Sequence, residues 1–265
     1  LYHSQSVESF YAHVPGLKVV VPSTPADVKG LLFTAVEDPD PVMFLEPKKL
    51  YRLAKGPYPD GDHRVPLGRA VIRHPGRDLT ILAYGAMAHF ALEAAPLLEE
   101  LDISPEVIDL RSLKPLDWPT IEESIKKTSR ALIVHEDNEF VGYGAEIAAQ
   151  IADKTFEWLD APVKRIAAPD TPVPFSPPLE KAFIPQVDDV LAGDRYADEV
   201  RSFDEVPIDE AEVKPAELTL ARQLIDQSAS DAFEPERYTD EVREKMLELI
   251  QQKVEGQSAL PRTWW

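Results

Sequence analysis

Short apolar runs alternate with amphipathic stretches along residues 1–193, and this alternation predicts the fold. Six runs rich in β-branched residues predict strands over 18–22, 42–46, 79–84, 106–110, 131–135 and 163–167. Between them, apolar positions recur at helical spacing and predict helices over 24–37, 86–101, 117–128 and 143–159. Several strands are apolar almost throughout, as strands buried on both faces of a parallel sheet are. We therefore expect an α/β fold, with a mostly parallel sheet and helices on both faces.

The same pattern divides this region into two units. Residues 1–47 hold only a strand, a helix and a strand, so we expect the C-terminal part of a domain that begins upstream. Residues 48–64 are rich in Gly, Pro and charge and predict a linker. Residues 65–193 hold four strand–helix repeats, which is enough for a complete small domain. The first unit is expected to pack beside the second as a partial sheet.

The pattern changes after residue 193. Residues 194–214 are acidic and poor in periodic apolar positions, which is the composition of a linker. Residues 215–256 predict two amphipathic helices, each with a single apolar stripe. Residues 257–265 form a terminal segment in which Pro261 disfavours further helix. We expect the two helices to pack on each other or on the α/β body, because helices of this length are marginal alone in water.

Composition narrows the classes of function. The 265 residues include 47 acidic and 28 basic ones, and the formal net charge is −19 at pH 7. Such a chain lacks the basic surface that supplies most affinity for nucleic acid, so nucleic-acid binding is not expected. The sequence has no cysteine, which excludes disulfides and thiolate metal sites and fits a cytoplasmic protein. No apolar run approaches the length of a membrane span, so no membrane partner is expected.

Two polar clusters are candidates for chemistry. His3 lies beside Ser4 and Gln5, and a histidine held by hydroxyl and amide groups can transfer a proton near neutral pH. These three residues also fit a polar loop at a domain edge, which is the alternative interpretation. His135 and Glu136 follow a buried strand, at the carboxyl edge where α/β proteins place their sites. As a short isolated run they are more typical of a loop or a subunit interface than of a catalytic centre.

Five segments occur in the order and spacing of one enzyme family: HSQS…FYAHVPGLKVVVPSTPADVKGLL, DPVMFLEPKKLYR, EVIDLRSLKPLD, VHEDNEFVGYGAEIAAQI and APVKRIAAPDTPVPFSPPLEKAFIP. Over residues 1–192 the chain resembles the beta subunit of a thiamine-diphosphate-dependent 2-oxo acid dehydrogenase. The segment FLEPKKLYR resembles the branched-chain (2-oxoisovalerate) type more than the pyruvate type. The resemblance implies a partial pyrimidine-binding domain followed by a transketolase C-terminal domain.

The resemblance also implies roles for single residues. His3 would face the thiazolium ring and the substrate, and would serve in proton transfer or in handing the acyl group to the lipoyl arm. Four positions would place oxygens, mostly backbone carbonyls, around a structural potassium ion: Ala35, Val36, Asp38 and Asp40. An Asn is common in the family at the last of these positions. A hard cation held by carbonyl and carboxylate oxygens is reasonable chemistry there.

The resemblance implies cofactors and partners in the same way. Thiamine diphosphate would be shared with an alpha subunit, which would also carry the magnesium and diphosphate motif. The glutamate that protonates the aminopyrimidine is expected upstream of residue 1. A second beta subunit and a lipoyl acyltransferase component would be further partners. The chain would then contribute to oxidative decarboxylation of a branched-chain 2-oxo acid and to acyl transfer to lipoamide, and is not expected to be active alone.

A second resemblance concerns the C-terminal region. Residues 213–256 are similar to the helical C-terminal part of the core of bacterial Ku, a DNA-end-binding repair protein, although a generic acidic helical hairpin fits them too. Three hypotheses therefore remain open at this point. The chain is an incomplete enzyme subunit, a DNA-repair interaction module, or a folded fusion protein without activity.

Overall fold

The computed structural model describes residues 4–193, which form two sheets flanked by helices. Within this range the strands are β1 Lys18–Val20, β2 Val42–Phe44, β3 Val71–His74, β4 Leu79–Ala83, β5 Pro105–Asp109, β6 Ser112–Lys114, β7 Ala131–Asn138 and β8 Lys164–Ala168. The helices are α1 Glu8–His13, α2 Pro25–Glu37, α3 Leu50–Leu53, α4 Ala86–Glu99, α5 Trp118–Thr128, α6 Tyr143–Thr155, α7 Pro177–Phe183 and α8 Val187–Ala192. A short 3-10 turn over Phe156–Trp158 follows α6.

A five-stranded sheet of order β3-β5-β4-β7-β8 forms the centre of the larger unit. Strand β4 is parallel to β5 and to β7, β7 is parallel to β8, and only β3 runs antiparallel at one edge. Every residue of β4 and β5 is buried; β4 is apolar except at Thr80, whereas β5 carries the buried acids Glu106 and Asp109. The prediction of a mostly parallel sheet is confirmed.

Helices cover both faces of this sheet and enclose two apolar cores. Alternate strand residues point to opposite faces, so neighbours such as Ile81 and Leu82 enter different cores. On one face the sheet packs against α4 and α8, and on the other against α5 and α6. The two-faced arrangement predicted from the sequence is therefore also confirmed.

The first unit contributes a smaller sheet of order β2-β1-β6. Strand β1 pairs in parallel with β2 and antiparallel with β6, which comes from the second unit. The expectation that residues 1–47 form a partial sheet beside the larger unit is confirmed, but β6 was not predicted. The chain enters β6 through Arg111, whose φ of 54° lies in the left-handed region and reverses the backbone direction.

Several short elements were missed by the sequence pattern. They are α1, α3, β3, β6, α7 and α8, of which α3 interrupts the predicted linker over 48–64. Elements this short carry too few periodic apolar positions to be recognised, and their stability comes from tertiary packing. None of the described helices combines the length and apolar character that crossing a membrane requires. The predictions for His3 and for residues 194–214, 215–256 and 257–265 lie outside the described residues.

Candidate functional site

The sheet has a topological switch point between β4 and β7. The helices that follow these two strands, α4 and α6, pack on opposite faces of the sheet, the arrangement that in open α/β sheets leaves a crevice at the carboxyl ends of the strands. In open α/β sheets this crevice is the usual place for a ligand. Tyr84 follows β4 directly, and the last residues of β7 face it, so the predicted cluster around His135 lies at this position.

The N-terminal segment reaches the same crevice. The side-chain amide of Gln5 donates a hydrogen bond to Oδ1 of Asn138, at 3.2 Å, across 133 positions of sequence. Asn138 in turn donates to the carbonyl of Pro169, at 2.7 Å, which holds its amide in place. The structure therefore brings together two clusters that the sequence presented separately, the Ser4–Gln5 pair and the end of β7. Ser4 is exposed beside this contact.

Glu8, in the first turn of α1, is a functional candidate that sequence reasoning missed. Burial raises the pKa of its carboxyl to about 7, and the negative charges of Asp137 and Glu136 add to the effect. Its Oε2 is buried and has no hydrogen-bond partner among residues 4–193. A carboxyl group that holds its proton near neutral pH can act as an acid or a base. In the sequence, the only signal was an acidic residue soon after the His-Ser-Gln run.

His135 is fully buried under this crevice and stacks on Tyr84, with ring centroids 6.3 Å apart. Burial, with the nearby charge of Arg165, lowers the pKa of His135 to about 4, so its ring is neutral. Burial also raises the pKa of Tyr84 well above its usual range. The assignment of His135 to a subunit interface stays a prediction, and a partner would reach the ring only by displacing the residues that cover it.

Glu136 points to the opposite face of β7 and is half-buried. Burial raises the pKa of its carboxyl, while the charge of Lys49 opposes this shift and that of Glu180 adds to it. Lys49 and Glu180 line a small cavity of about 170 Å³ beside α7. The role of Glu136 at a subunit interface also stays a prediction. A larger cavity of about 370 Å³ runs along β8, and none of the predicted site residues lines it.

The loop between β7 and α6 presents apolar side chains at the edge of the crevice. Phe140 is 71% exposed and Val141 is 69% exposed. Val141 also has a φ of 61°, a strained conformation for a β-branched residue. These two adjacent exposed side chains make the loop a candidate contact surface.

A buried ion network lies at the end of β5. Arg73 contacts the carboxylates of both Asp27 and Asp109, with 2.9 Å from its Nη2 to Asp109. Arg111 pairs with Asp27 at 2.9 Å, and Ser23 donates a hydrogen bond to Asp109. Burial would raise the pKa of Asp27, but its hydrogen bonds and the two guanidinium groups lower it overall. This region is packed with ion pairs that join residues 1–47 to residues 65–193.

The four residues predicted to surround potassium lie at the end of α2. Ala35 and Val36 belong to its last turn, Asp38 is its C-cap and Asp40 follows it. Both carboxylates are already paired with the ammonium group of Lys18, at 2.6 Å for Asp38 and 3.0 Å for Asp40. Both oxygens of Asp38 and Oδ2 of Asp40 are therefore engaged by this ammonium group. Elsewhere in residues 4–193, no group of three or more His, Asp or Glu side chains is arranged to hold a metal ion.

Family models match most of the described chain. Residues 2–54 match the transketolase pyrimidine-binding domain, and residues 68–190 match the transketolase C-terminal domain. The fold is also similar to that of a split-gene transketolase solved as an inactive beta4 tetramer. That similarity has a TM-score of 0.59 and 28% identity, over 70% of this chain and 58% of the other. Both described units are therefore of the transketolase type.

Three curated proteins of Bacillus subtilis show similar levels of identity. The chain is 48% identical to 2-oxoisovalerate dehydrogenase subunit beta, over 74% of this chain and 60% of that protein. It is 49% identical to an acetoin:2,6-dichlorophenolindophenol oxidoreductase subunit beta, over 72% and 55% respectively. It is 48% identical to pyruvate dehydrogenase E1 component subunit beta, over 71% and 58%. The chain thus spans 55–60% of the length of these relatives.

Proposed function

We propose that this transketolase-type chain acts as a beta subunit in the thiamine-diphosphate-dependent component of a 2-oxo acid dehydrogenase. In that role it contributes to oxidative decarboxylation of a branched-chain 2-oxo acid and to acyl transfer to lipoamide. The observation that supports the proposal is the contact between the N-terminal segment and the carboxyl end of β7, at the β4/β7 switch point. There, Gln5 from the His-Ser-Gln segment and the proton-holding carboxyl of Glu8 meet the end of β7.

The residues of this crevice suit contact with a shared cofactor. Thiamine diphosphate, when bound, supplies the carbanion chemistry, while the protein binds and orients it. Gln5 offers an exposed amide anchored to Asn138, and Glu8 offers a carboxyl oxygen that lacks a partner in the described chain. We assign proton transfer or acyl hand-over to His3, which precedes Gln5 by two positions. Magnesium and the diphosphate group would be held by an alpha subunit.

The substrate class depends on a narrower observation. The identities to branched-chain, acetoin and pyruvate subunits are 48%, 49% and 48%, so overall similarity does not separate them. The branched-chain assignment depends on the segment FLEPKKLYR, residues 44–52, which connects β2 to α3. A cytoplasmic location and a second beta subunit complete the proposal.

Association with an alpha subunit tests the proposal directly. The purified chain is mixed in turn with alpha subunits of the branched-chain, pyruvate and acetoin types, and complex formation is followed by size-exclusion chromatography. We expect co-elution, and the tightest complex with the branched-chain type. Tighter association with another type would reassign the substrate, and association with none would contradict the beta-subunit role. The chain alone should give no turnover with thiamine diphosphate, magnesium and 2-oxoisovalerate.

Substitutions in the exposed loop after β7 test which surface of the chain binds the alpha subunit. Phe140→Ser removes an apolar side chain beside the crevice and should weaken the complex about 10-fold, because exposed aromatic residues dominate many interfaces. Phe156→Ser is the matched control, since Phe156 is 76% exposed at the opposite end of α6. Equal affinities for the two variants would remove the loop from the proposed interface.

DNA repair is not proposed as a function. Residues 194–265, which include the Ku-like stretch, hold 18 acidic and 9 basic residues and lie outside the described part of the chain. The two family matches end at residue 190 and so neither supports nor opposes the Ku resemblance. The charge argues against binding to duplex ends, because phosphate neutralisation supplies most of that affinity.

A further inference from the structure

The open edge of the larger sheet carries a groove that the proposed function does not use. Strand β8 is the last strand of this sheet, and within residues 4–193 it pairs only with β7. A cavity of about 370 Å³ runs along β8 and is bounded on its other side by the end of α7 and by α8. Its apolar lining includes Ile166, Phe183 and Ile184, and we call this cavity the β8 groove. Its volume lies in the range of cavities that bury a drug-sized molecule.

The backbone of β8 faces this groove. All four residues from Lys164 to Ala167 line it, although their side chains alternate between the two faces of the sheet, which places the groove along the edge of the strand. The carbonyl of Ala168 accepts a hydrogen bond from the N–H of Glu139, at 2.8 Å, on the side of β7. Because backbone groups alternate in direction along a strand, those of Arg165 and Ala167 point to the open edge. Such an edge offers main-chain donors and acceptors to an extended segment.

The described part of the chain ends at the mouth of the β8 groove. Gly193 lines the groove and packs closely on the sheet, since an added Cβ would lie 2.7 Å from a side-chain atom of Ile166 and 2.9 Å from one of Leu132. Whatever follows Gly193 in the sequence is therefore tethered beside β8, at a high effective concentration. Residues 194–206 come next, with five acidic and two basic residues. Their larger apolar side chains are Tyr196, Val200, Phe203 and Val206.

The charges of the groove suit an acidic segment. Two acids line it, and both are engaged within the described chain. Glu139 pairs with Arg165 at 3.6 Å, and Asp189 accepts a hydrogen bond from the N–H of Gln186, at 2.7 Å, in the cap of α8. Lys164 is the second cation of the lining, and it stands at the start of β8. A carboxylate that enters the groove therefore meets a lysine beside acids that already have partners.

We propose that residues 194–206 bind in the β8 groove as an extended segment along the edge of β8. Main-chain groups of the segment meet the outward backbone groups of Arg165 and Ala167, and its apolar side chains enter the lining around Ile166. Its carboxylates meet the ammonium of Lys164. The segment thereby covers an edge that other chains would otherwise use for pairing.

Hydrogen exchange of the full chain, followed by mass spectrometry, tests this contact without any enzymatic activity. In one variant residues 194–206 are replaced by a Gly/Ser sequence of equal length, and in the matched control residues 207–219 are replaced in the same way. We expect peptides that span β8 to exchange at least about 10-fold faster in the first variant only, because their open-edge amides lose hydrogen bonds and cover. Peptides that span β4 should not change. Unchanged exchange of β8 in the first variant, equal acceleration in both variants, or acceleration that extends to β4 would overturn the proposal.

Cross-linking of the wild-type chain identifies the occupant. A carbodiimide joins a lysine to a carboxylate in direct contact, and mass spectrometry locates the joined residues. We expect Lys164 to join acids of residues 194–206, and the exposed Lys55 to join none of them. An equal mixture of unlabelled and ¹⁵N-labelled chains shows whether both ends of a link belong to one copy. Links from Lys164 that join two copies would assign the groove to a second chain and overturn the proposal, as would the lack of any link from Lys164 to residues 194–206.

Discussion

The ring of His135 lies directly under α6, and this contact requires glycine in the helix. A Cβ added at Gly144 would overlap ring atoms Nε2 and Cδ2, which belong to a fully buried side chain that cannot move aside. Glycine is normally unfavourable inside a helix, so its presence here reflects packing rather than helix propensity. The close contact fixes the position of α6 over the end of β7.

Gly144→Ala should therefore destabilise the protein despite the higher helix propensity of alanine. We expect a loss of about 1–3 kcal/mol in the free energy of unfolding, the usual cost of overpacking a core. Urea denaturation measures it. Gly56→Ala serves as the control, because the nearest atom to an added Cβ there is 3.7 Å away. If Gly144→Ala is as stable as wild type, the packing described for His135 is wrong.

Glu8 makes the stability of the chain depend on pH. Burial first, and then Asp137 and Glu136, raise its pKa from 4.5 to about 7. Between these two values the folded chain keeps a proton that the unfolded chain has released. Stability therefore falls as the pH rises through this window. The buried His135 acts in the opposite direction below pH 6.5, because its pKa is lowered to about 4 and the unfolded chain then binds more protons.

The Glu8→Gln substitution removes the pH dependence of stability that comes from Glu8 and leaves the one that comes from His135. Between pH 4.5 and pH 8, the free energy of unfolding of the variant should rise by about 1–3 kcal/mol relative to that of wild type, because the variant has no carboxyl group to ionise at this position. Chemical denaturation across this range gives the difference. Glu93→Gln is the matched control, because Glu93 is exposed on α4. If the free energies of unfolding of wild type and Glu8→Gln change with pH in parallel, the raised pKa assigned to Glu8 is wrong.

Helix α5 shows how one side chain can set the start of an element and join it to the sheet. Asp117 is its N-cap, and its Oδ2 accepts a hydrogen bond from Thr120 Oγ1 at 2.8 Å. The same oxygen accepts from the backbone N–H of Ala70, at 2.9 Å, just before β3. The cap therefore satisfies a donor on a distant segment as well as its own helix.

Asp117→Ala should cost about 1–3 kcal/mol of unfolding free energy, since it removes a cap and leaves the N–H of Ala70 unpaired. Asp153→Ala in the exposed part of α6 should change stability by less than about 0.5 kcal/mol. Thermal unfolding of the two variants gives the comparison. Equal unfolding midpoints for the two variants would mean that Asp117 contributes no more to stability than an exposed acidic residue does.

At the scale of the whole molecule, Arg73 is one of the links between residues 1–47 and residues 65–193, beside the pairing of β1 with β6. It lies on β3 and contacts Asp27 of α2 and Asp109 of β5, both of which are almost completely buried. Burial raises the pKa of Asp109 in spite of the charge of Arg73. Removing the guanidinium would leave two carboxylates in the interior with less compensation, which is far more costly than losing a surface ion pair.

Arg73→Met should therefore destabilise the chain by about 3–5 kcal/mol, and adding Asp109→Asn should recover part of this loss. Arg77→Met is the control, because the side chain of Arg77 is 82% exposed. Denaturant titrations of the wild type and the three variants measure the differences. If the double variant is no more stable than Arg73→Met alone, the charge on Asp109 is not the cause of the loss.

The sequence alone determined the order and type of the main elements. Strand β4 and the first half of β7 are apolar at nearly every position, and such runs have few alternatives to a sheet buried on both faces. The helices between them were recognisable from apolar positions that recur at helical spacing. The His-Ser-Gln segment and the polar cluster at the end of β7 were recognisable as polar groups in unusual places. The local pattern of apolar and polar residues is sufficient to identify these strands, helices and polar segments.

Only the tertiary structure decided how these parts meet. The contact between Gln5 and Asn138 joins positions 133 residues apart, and no local pattern encodes such a pairing. The pKa of Glu8 depends on burial and on carboxylates from β7, which are adjacent only after folding. Lys18 reads as an ordinary strand residue until α2 brings two carboxylates to its ammonium. In each case the environment of the side chain, and not its identity, sets its chemistry.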